Sequence, residues 1–187
     1  DILQQKGIFM EQMRYTLPAI ALRGLTVLPG MMIHFDISRS KSIAAVEKAM
    51  VEDQKVFLVT QRRAEVMEPD QGDLYPVGCV ASVRQLVKLP DNIVRVMVEG
   101  LERAELAHLE ADEPYLLAEV ETIPAGTQAE QLDYVTAEAM MRIVKDKLEE
   151  YGRIHSRLMK EILPNLMLIT DLEELLDQTA IQLPWDY

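Results

Sequence analysis

The side chains that could carry chemistry are few, and their spacing argues against most of it. His34 and Asp36 stand two apart, so a strand would put them on one face, and Arg39 follows close behind. An acid–base site of unfamiliar type around these three is one reading, which requires a deep pocket holding His34 and Asp36. Ser38, Ser40 and Ser42 crowd a predicted helix start, where capping accounts for them, and Ser82 sits in a strand. His34, His108 and His155 are scattered, with no second His or Cys at metal-ligand spacing. Paired carboxylates such as Glu149-Glu150 and Glu173-Glu174 are neighbours along helices and point in different directions, which suits solvated faces. The sequence holds no G-x-x-x-x-G-K-[ST] loop to cradle a phosphate. Cys79, the single cysteine, lies in the strand-like run Val77 to Val83, where a small buried apolar residue is expected rather than a nucleophile.

What remains is apolar surface. Met31 and Met32 follow the Pro29-Gly30 turn, and Met67 precedes Glu68-Pro69-Asp70. Methionine is flexible and polarisable, and suits surfaces that accept many partners. Leu28, Pro29, Met31, Met32, Phe35, Met67 and Tyr75 are therefore the candidates for a shallow groove that takes unfolded polypeptide. Strand alternation supplies a rival account, in which alternate members of the run from Met31 to Phe35 simply fill the core.

Composition narrows the partners. The net charge of -12 is spread along the chain, and no cluster of Lys and Arg offers a polyanion footprint, so nucleic acid is not an expected partner. No run approaches the ~20 apolar residues of a membrane span. An unpaired cysteine points to a reducing, cytoplasmic setting. Residues Asp1 to Phe9 lack the pattern of a signal peptide, and Met10 offers a plausible native start.

The elements that must position these groups divide into two parts. Leu17 to Leu22, Met31 to Ile37 and Lys55 to Thr60 read as strands. Ser40 can cap a helix through Glu52, with Ile43, Val46 and Met50 at helical spacing, packed on the sheet or plugging a barrel end. Val77, Cys79, Ala81, Val83, Val87 and Leu89 alternate inward; Pro90-Asp91-Asn92 turns the chain, and Val94, Val96 and Val98 continue. Gln85, Leu86 and Val80 break that pattern, which fits a bulge or a sheet covered on both sides. Gly100 is expected to end the strand before two more, Leu101 to His108 and Tyr115 to Ile123. Beyond Pro124-Ala125-Gly126 the period becomes helical. Thr127 and Glu130 have capping-box spacing for a helix to Tyr151, with Leu132, Val135, Ala139 and Ile143 on one stripe and Val144, Leu148 and Tyr151 beside it. Gly152 should end it. A second helix should run from Ile154 to Leu163 and stop at Pro164, and Thr170 with Glu173 should open a third.

The stretch from Leu17 to Met50 resembles the opening of the Lon protease amino-terminal domain family. Its marks are Leu22-Arg23, Val27-Leu28-Pro29-Gly30-Met31 and Ser38-Arg39-Ser40-Lys41-Ser42. Tyr75-Pro76-Val77-Gly78-Cys79-Val80-Ala81, Lys88-Leu89-Pro90-Asp91 and Val98-Glu99-Gly100-Leu101-Glu102-Arg103-Ala104 are similar to its second signature. Leu28 stands where Phe is usual, Ser38 where Gly is common, and Asn92 where the hairpin often has Gly. The resemblance implies an α+β fold: a β-rich, PUA-like pseudo-barrel over 17–124 with one interposed helix, then a helical bundle over 127–187, after a lead-in of 1–16. It implies a non-catalytic part of an ATP-dependent protease that recognises unfolded or damaged polypeptides and supports a homo-hexamer. ATP, magnesium and the serine–lysine peptidase would belong to parts outside these residues, so no cofactor, metal or catalytic residue is expected within them. The apolar Leu183-Pro184-Trp185 near the end reads as a cut before the ATPase. A stand-alone adaptor or small-ligand binder of the same family is the alternative.

Overall fold

The computed structural model describes residues 12–111, 114–124 and 132–183, with the side chains of 156–159 outside that description. Two compact units divide at Pro124 and Ala125. The first holds β1 (Arg14–Leu22), β2 (Met32–Ile37), α1 (Ser40–Val51), β3 (Lys55–Thr60), a short 3-10 turn (Gln71–Asp73), β4 (Val77–Lys88), β5 (Val94–Glu110) and β6 (Leu116–Thr122). The second holds α2 (Tyr134–Ile154), α3 (Ser156–Leu168) and α4 (Leu172–Gln182).

The sheet closes on itself. Its order is β2-β5-β4-β3-β1-β6, and β5 also pairs with β6. Five strands thus form a ring, with β1–β3 the one parallel pair among them and β2 attached outside along the first half of β5. This is the expected α+β architecture. Alternation along the strands separates two cores. Leu17, Ala19, Phe57, Val59, Val80, Ala104, Leu106, Ala118 and Val120 draw on all five ring strands and fill the barrel. Ile20, Leu22, Val56, Leu58, Cys79, Ala81, Val83 and Val96 point the other way. Ser42, Ala45, Val46 and Ala49 of α1 are buried at helical spacing, and the last three pack into that outer core. The helix therefore covers the sheet and does not plug an end.

Several local expectations change. Gly100 does not end a strand: β5 runs unbroken through it. An added Cβ there would run into the Leu28 carbonyl, so the missing side chain admits a neighbouring turn. Gly30 N–H donates to the Gly100 carbonyl at 2.9 Å, and Gly100 N–H to Met31 O at 2.9 Å. In β4 the register slips between Val83 and Gln85, leaving Arg84 as the extra residue. The inward phase then passes to Leu86, and Val87, expected inside, is exposed. The hairpin turn keeps its geometry, with φ of 59° at Asp91 and 57° at Asn92. Ser40 does not cap α1; Arg39 holds the N-cap position and no side chain caps the helix.

In the second unit, the Thr127–Glu130 box lies outside the described residues. Asp133 caps α2, accepting from Thr136 N–H at 3.0 Å. Gly152 stays inside α2, since a helical glycine costs only about 1 kcal/mol. Pro164 stays inside α3, where it and Lys160, whose carbonyl loses its donor, are both exposed. Asp171, not Thr170, caps α4, accepting from Glu174 N–H at 2.8 Å. The buried stripe of α2 is Val144, Leu148 and Tyr151, packed with Leu166, Leu175 and Leu183, while Val135 and Ile143 are exposed. Lys145 Nζ closes the end of α3 by donating to Met167 O at 2.9 Å and Ile169 O at 2.7 Å.

Candidate functional site

Arg39 organises the most featured surface of the barrel unit. Fixed at the N-cap of α1, its Nη2 donates to Ala21 O at 3.1 Å and to Gln61 Oε1 at 2.6 Å. Gln61 follows β3 directly and is 4% exposed. Its Nε2 donates to Val66 O at 2.9 Å and Arg63 O at 3.2 Å, which ties down the segment after β3. Arg23 Nη2 reaches Val66 O at 3.5 Å and the Met67 sulfur at 3.3 Å. Met67 is thus held in a defined place, yet it is 65% exposed. Sequence reasoning missed Gln61, because no periodicity marks a glutamine for burial just past a strand.

Two clefts meet at Arg39 and Ser42. One of about 270 Å³ is lined by Met67, Pro69, Ala111 and Leu116 with the α1 start and Asp70. The other, about 160 Å³, lies among Arg23, Phe35, Asp36 and Ser38. Burial lowers the Arg39 pKa, and the nearby Arg23 charge lowers it further.

The predicted site residues do not form one groove. Met67 and Phe35 line the two lobes around Arg39. Tyr75 lies in a separate open depression with Thr26, Thr60, Pro76 and Val77, its ring under the Arg62 guanidinium at 4.9 Å. Leu28, Pro29 and Met31 are half-buried at the turn stitched to Gly100, and Met31 packs on the outer core. Met32 is exposed at the start of β2.

The acid–base trio is not assembled. Asp36 gives both oxygens to Arg95, at 2.7 Å and 2.9 Å, and that pairing holds its carboxyl below the ordinary value. Arg39 faces Gln61 instead. His34 lies in a shallow depression with Gln85, Val87, Arg95 and Met97. Cys79 is buried, and desolvation pushes its thiol up to about 11. Among the described residues, no three His, Cys, Asp or Glu side chains gather to hold a metal, and no helix is long and apolar enough to cross a membrane.

A closed five-stranded ring covered by one outer helix, with a separate three-helix unit after it, defines an α+β fold. The sequence profile of the ATP-dependent protease La (LON) substrate-binding domain matches residues 16–187, and the chain belongs to that family. Lon protease of Lachnoclostridium phytofermentans is 41% identical over 94% of this chain, and Lon protease 1 of Bacillus subtilis 33% over 93%. The chain spans 21% and 22% of the lengths of these two relatives. The fold is also that of the N-terminal domain of Mycobacterium avium complex Lon protease, at a TM-score of 0.68 and 19% identity, over 89% of this chain and 82% of that one.

Proposed function

We propose that this chain is the substrate-engaging part of an ATP-dependent Lon protease and holds exposed apolar segments of unfolded or damaged polypeptides. The observation that carries this is Met67. A large apolar side chain kept in water by Arg23, Arg39 and Gln61 gains stability only when a partner covers it. Pro69 and Leu116 continue the apolar wall behind it, and methionine's flexibility admits varied sequences. Phe35 borders the second lobe; Tyr75 and Met32 are separate anchor points for a longer segment. Leu28, Pro29 and Met31 belong to the turn tied to Gly100 and line neither cleft. Binding at any one point is weak, since an unfolded segment loses entropy on ordering. Copies gathered in a homo-hexameric protease, in the cytoplasm, raise the effective affinity through avidity. ATP and magnesium serve the motor of that protease and are not asked of the groups described above.

The test is degradation by the full-length protease. Met67→Ser combined with Tyr75→Ser should slow turnover of an unfolded substrate while leaving ATP hydrolysis and peptide cleavage intact. Unchanged turnover would remove the recognition role from this surface.

A further inference from the structure

Two guanidinium groups, those of Arg23 and Arg39, stand beside the start of α1. No side chain caps the helix, so its first amide groups face outward with the positive end of the helix dipole. Ser38, Arg39 and Ser42 line one cleft and Arg39 to Ser42 the other, so the helix start borders both. Arg23 and Arg39 stand near enough to repel each other, and their hydrogen-bond acceptors are carbonyls, an amide oxygen and a sulfur. Among the described residues neither has a carboxylate partner within 4.0 Å.

Ser42 is the independent sign of a ligand. It is 7% exposed and lines both clefts. Among the described residues its hydroxyl has no hydrogen-bond partner, yet no unpartnered side-chain oxygen is sealed from solvent. The hydroxyl is therefore open to solvent, and the clefts that Ser42 lines are the two beside Arg39. A polar group so deeply buried gains most from a bound acceptor.

We propose that Arg39, Arg23, Ser42 and the first turn of α1 bind the terminal carboxylate of a polypeptide whose last side chain lies against Met67, Pro69 and Leu116. The proposal rests on the polypeptide-binding reading above and deepens it, naming one end of the bound segment. Guanidinium groups and helix amides both match a carboxylate. The apolar wall begins in the same cleft, so charge and side chain must sit on one residue, as at a chain terminus. Two acidic residues argue against a phosphate. Asp70 lines this cleft but directs one oxygen to Gly72 N–H at 2.8 Å and Asp73 N–H at 3.3 Å. Glu68 lines it as well, and its charge disfavours a dianion more than a single carboxylate.

The experiment titrates the chain with the peptide acetyl-Gly-Ser-Gly-Ser-Gly-Leu, as the free acid and as its terminal amide, with inorganic phosphate as a competitor. The acid should bind about tenfold more tightly than the amide, as charge-assisted hydrogen bonds require. Ser42→Ala and Arg23→Gln should each weaken the acid by about threefold to tenfold and leave the amide unchanged. Ser42→Ala keeps the helix, since alanine is the better helix former, and an unchanged thermal unfolding midpoint verifies that. Equal binding of acid and amide would overturn the proposal, as would inorganic phosphate displacing the acid peptide at a concentration below that of the peptide itself. If an unfolded protein still binds through Met67 while acid and amide are alike, only the carboxylate pocket falls. If neither peptide nor unfolded protein binds, the polypeptide-binding reading falls with it.

Discussion

Arg39 donates to Gln61 Oε1 across 2.6 Å, and this contact joins the start of α1 to the segment that carries Met67. Gln61 N–H also donates to Leu22 O at 2.8 Å, so one residue ties β1, α1 and the following segment together. Gln61→Leu removes three side-chain hydrogen bonds at a buried position. It should cost about 1–3 kcal/mol in urea denaturation and speed amide hydrogen exchange around Val66 and Met67. An unchanged denaturation midpoint would show that the network is ornamental.

Gly100→Ala should destabilise the barrel unit, because its Cβ meets the Leu28 carbonyl and forces the Pro29-Gly30 turn outward. The expected cost is about 1–3 kcal/mol. Gly24→Ala is the control: its surroundings are open within 4 Å, and only its φ of +61° resists the change, at about 1 kcal/mol. If the two variants unfold alike, the close approach at Gly100 does not matter.

Cys79 should resist alkylation in the native protein at neutral pH and react at once in urea, since burial lifts its thiol to about 11. A folded pKa above the ordinary 9.0 means the neutral thiol's contribution is whole below pH 9.0 and is lost as pH rises toward about 11. Cys79→Ala should lose this alkaline sensitivity. Native alkylation as fast as that of the unfolded chain would contradict the burial.

Much of the barrel was legible because its strands obey period two. Lys55–Thr60 was readable to the residue, and so was the turn at Asp91 and Asn92. What escaped was decided by partners distant in sequence. Gly100 reads as a break until Leu28 comes to lie against it, and one bulged residue, Arg84, swaps the roles of Leu86 and Val87. On α2 the two stripes are equally apolar, and only the packing of Leu166 and Leu175 selects Leu148 over Ile143. The candidate surface was half legible. Met67 stood out by type, whereas Gln61 and Ser42 look ordinary until their burial is seen.

Asp133 should make the start of α2 acid-sensitive. Thr136 lowers its carboxyl pKa, first through the hydroxyl and then through the backbone N–H. The ionised cap stabilises the folded helix above the ordinary value of 3.8, and that support is lost as pH falls through the lowered value. Circular dichroism should show α2 fraying in that range, and Asp133→Asn should flatten the effect. An identical acid profile in the variant would rule the cap out.

Contact between Met67 and the substrate is the step on which the proposed function turns. Its most direct measurement is a titration of the purified chain with a permanently unfolded, fluorescently labelled polypeptide, comparing the native sequence with Met67→Ser. Covering one methionine contributes about 1–2 kcal/mol, so affinity should fall about fivefold or more while the thermal unfolding midpoint stays unchanged. Equal affinity in the two proteins would contradict the account, because Met67 would then be exposed to no purpose in binding.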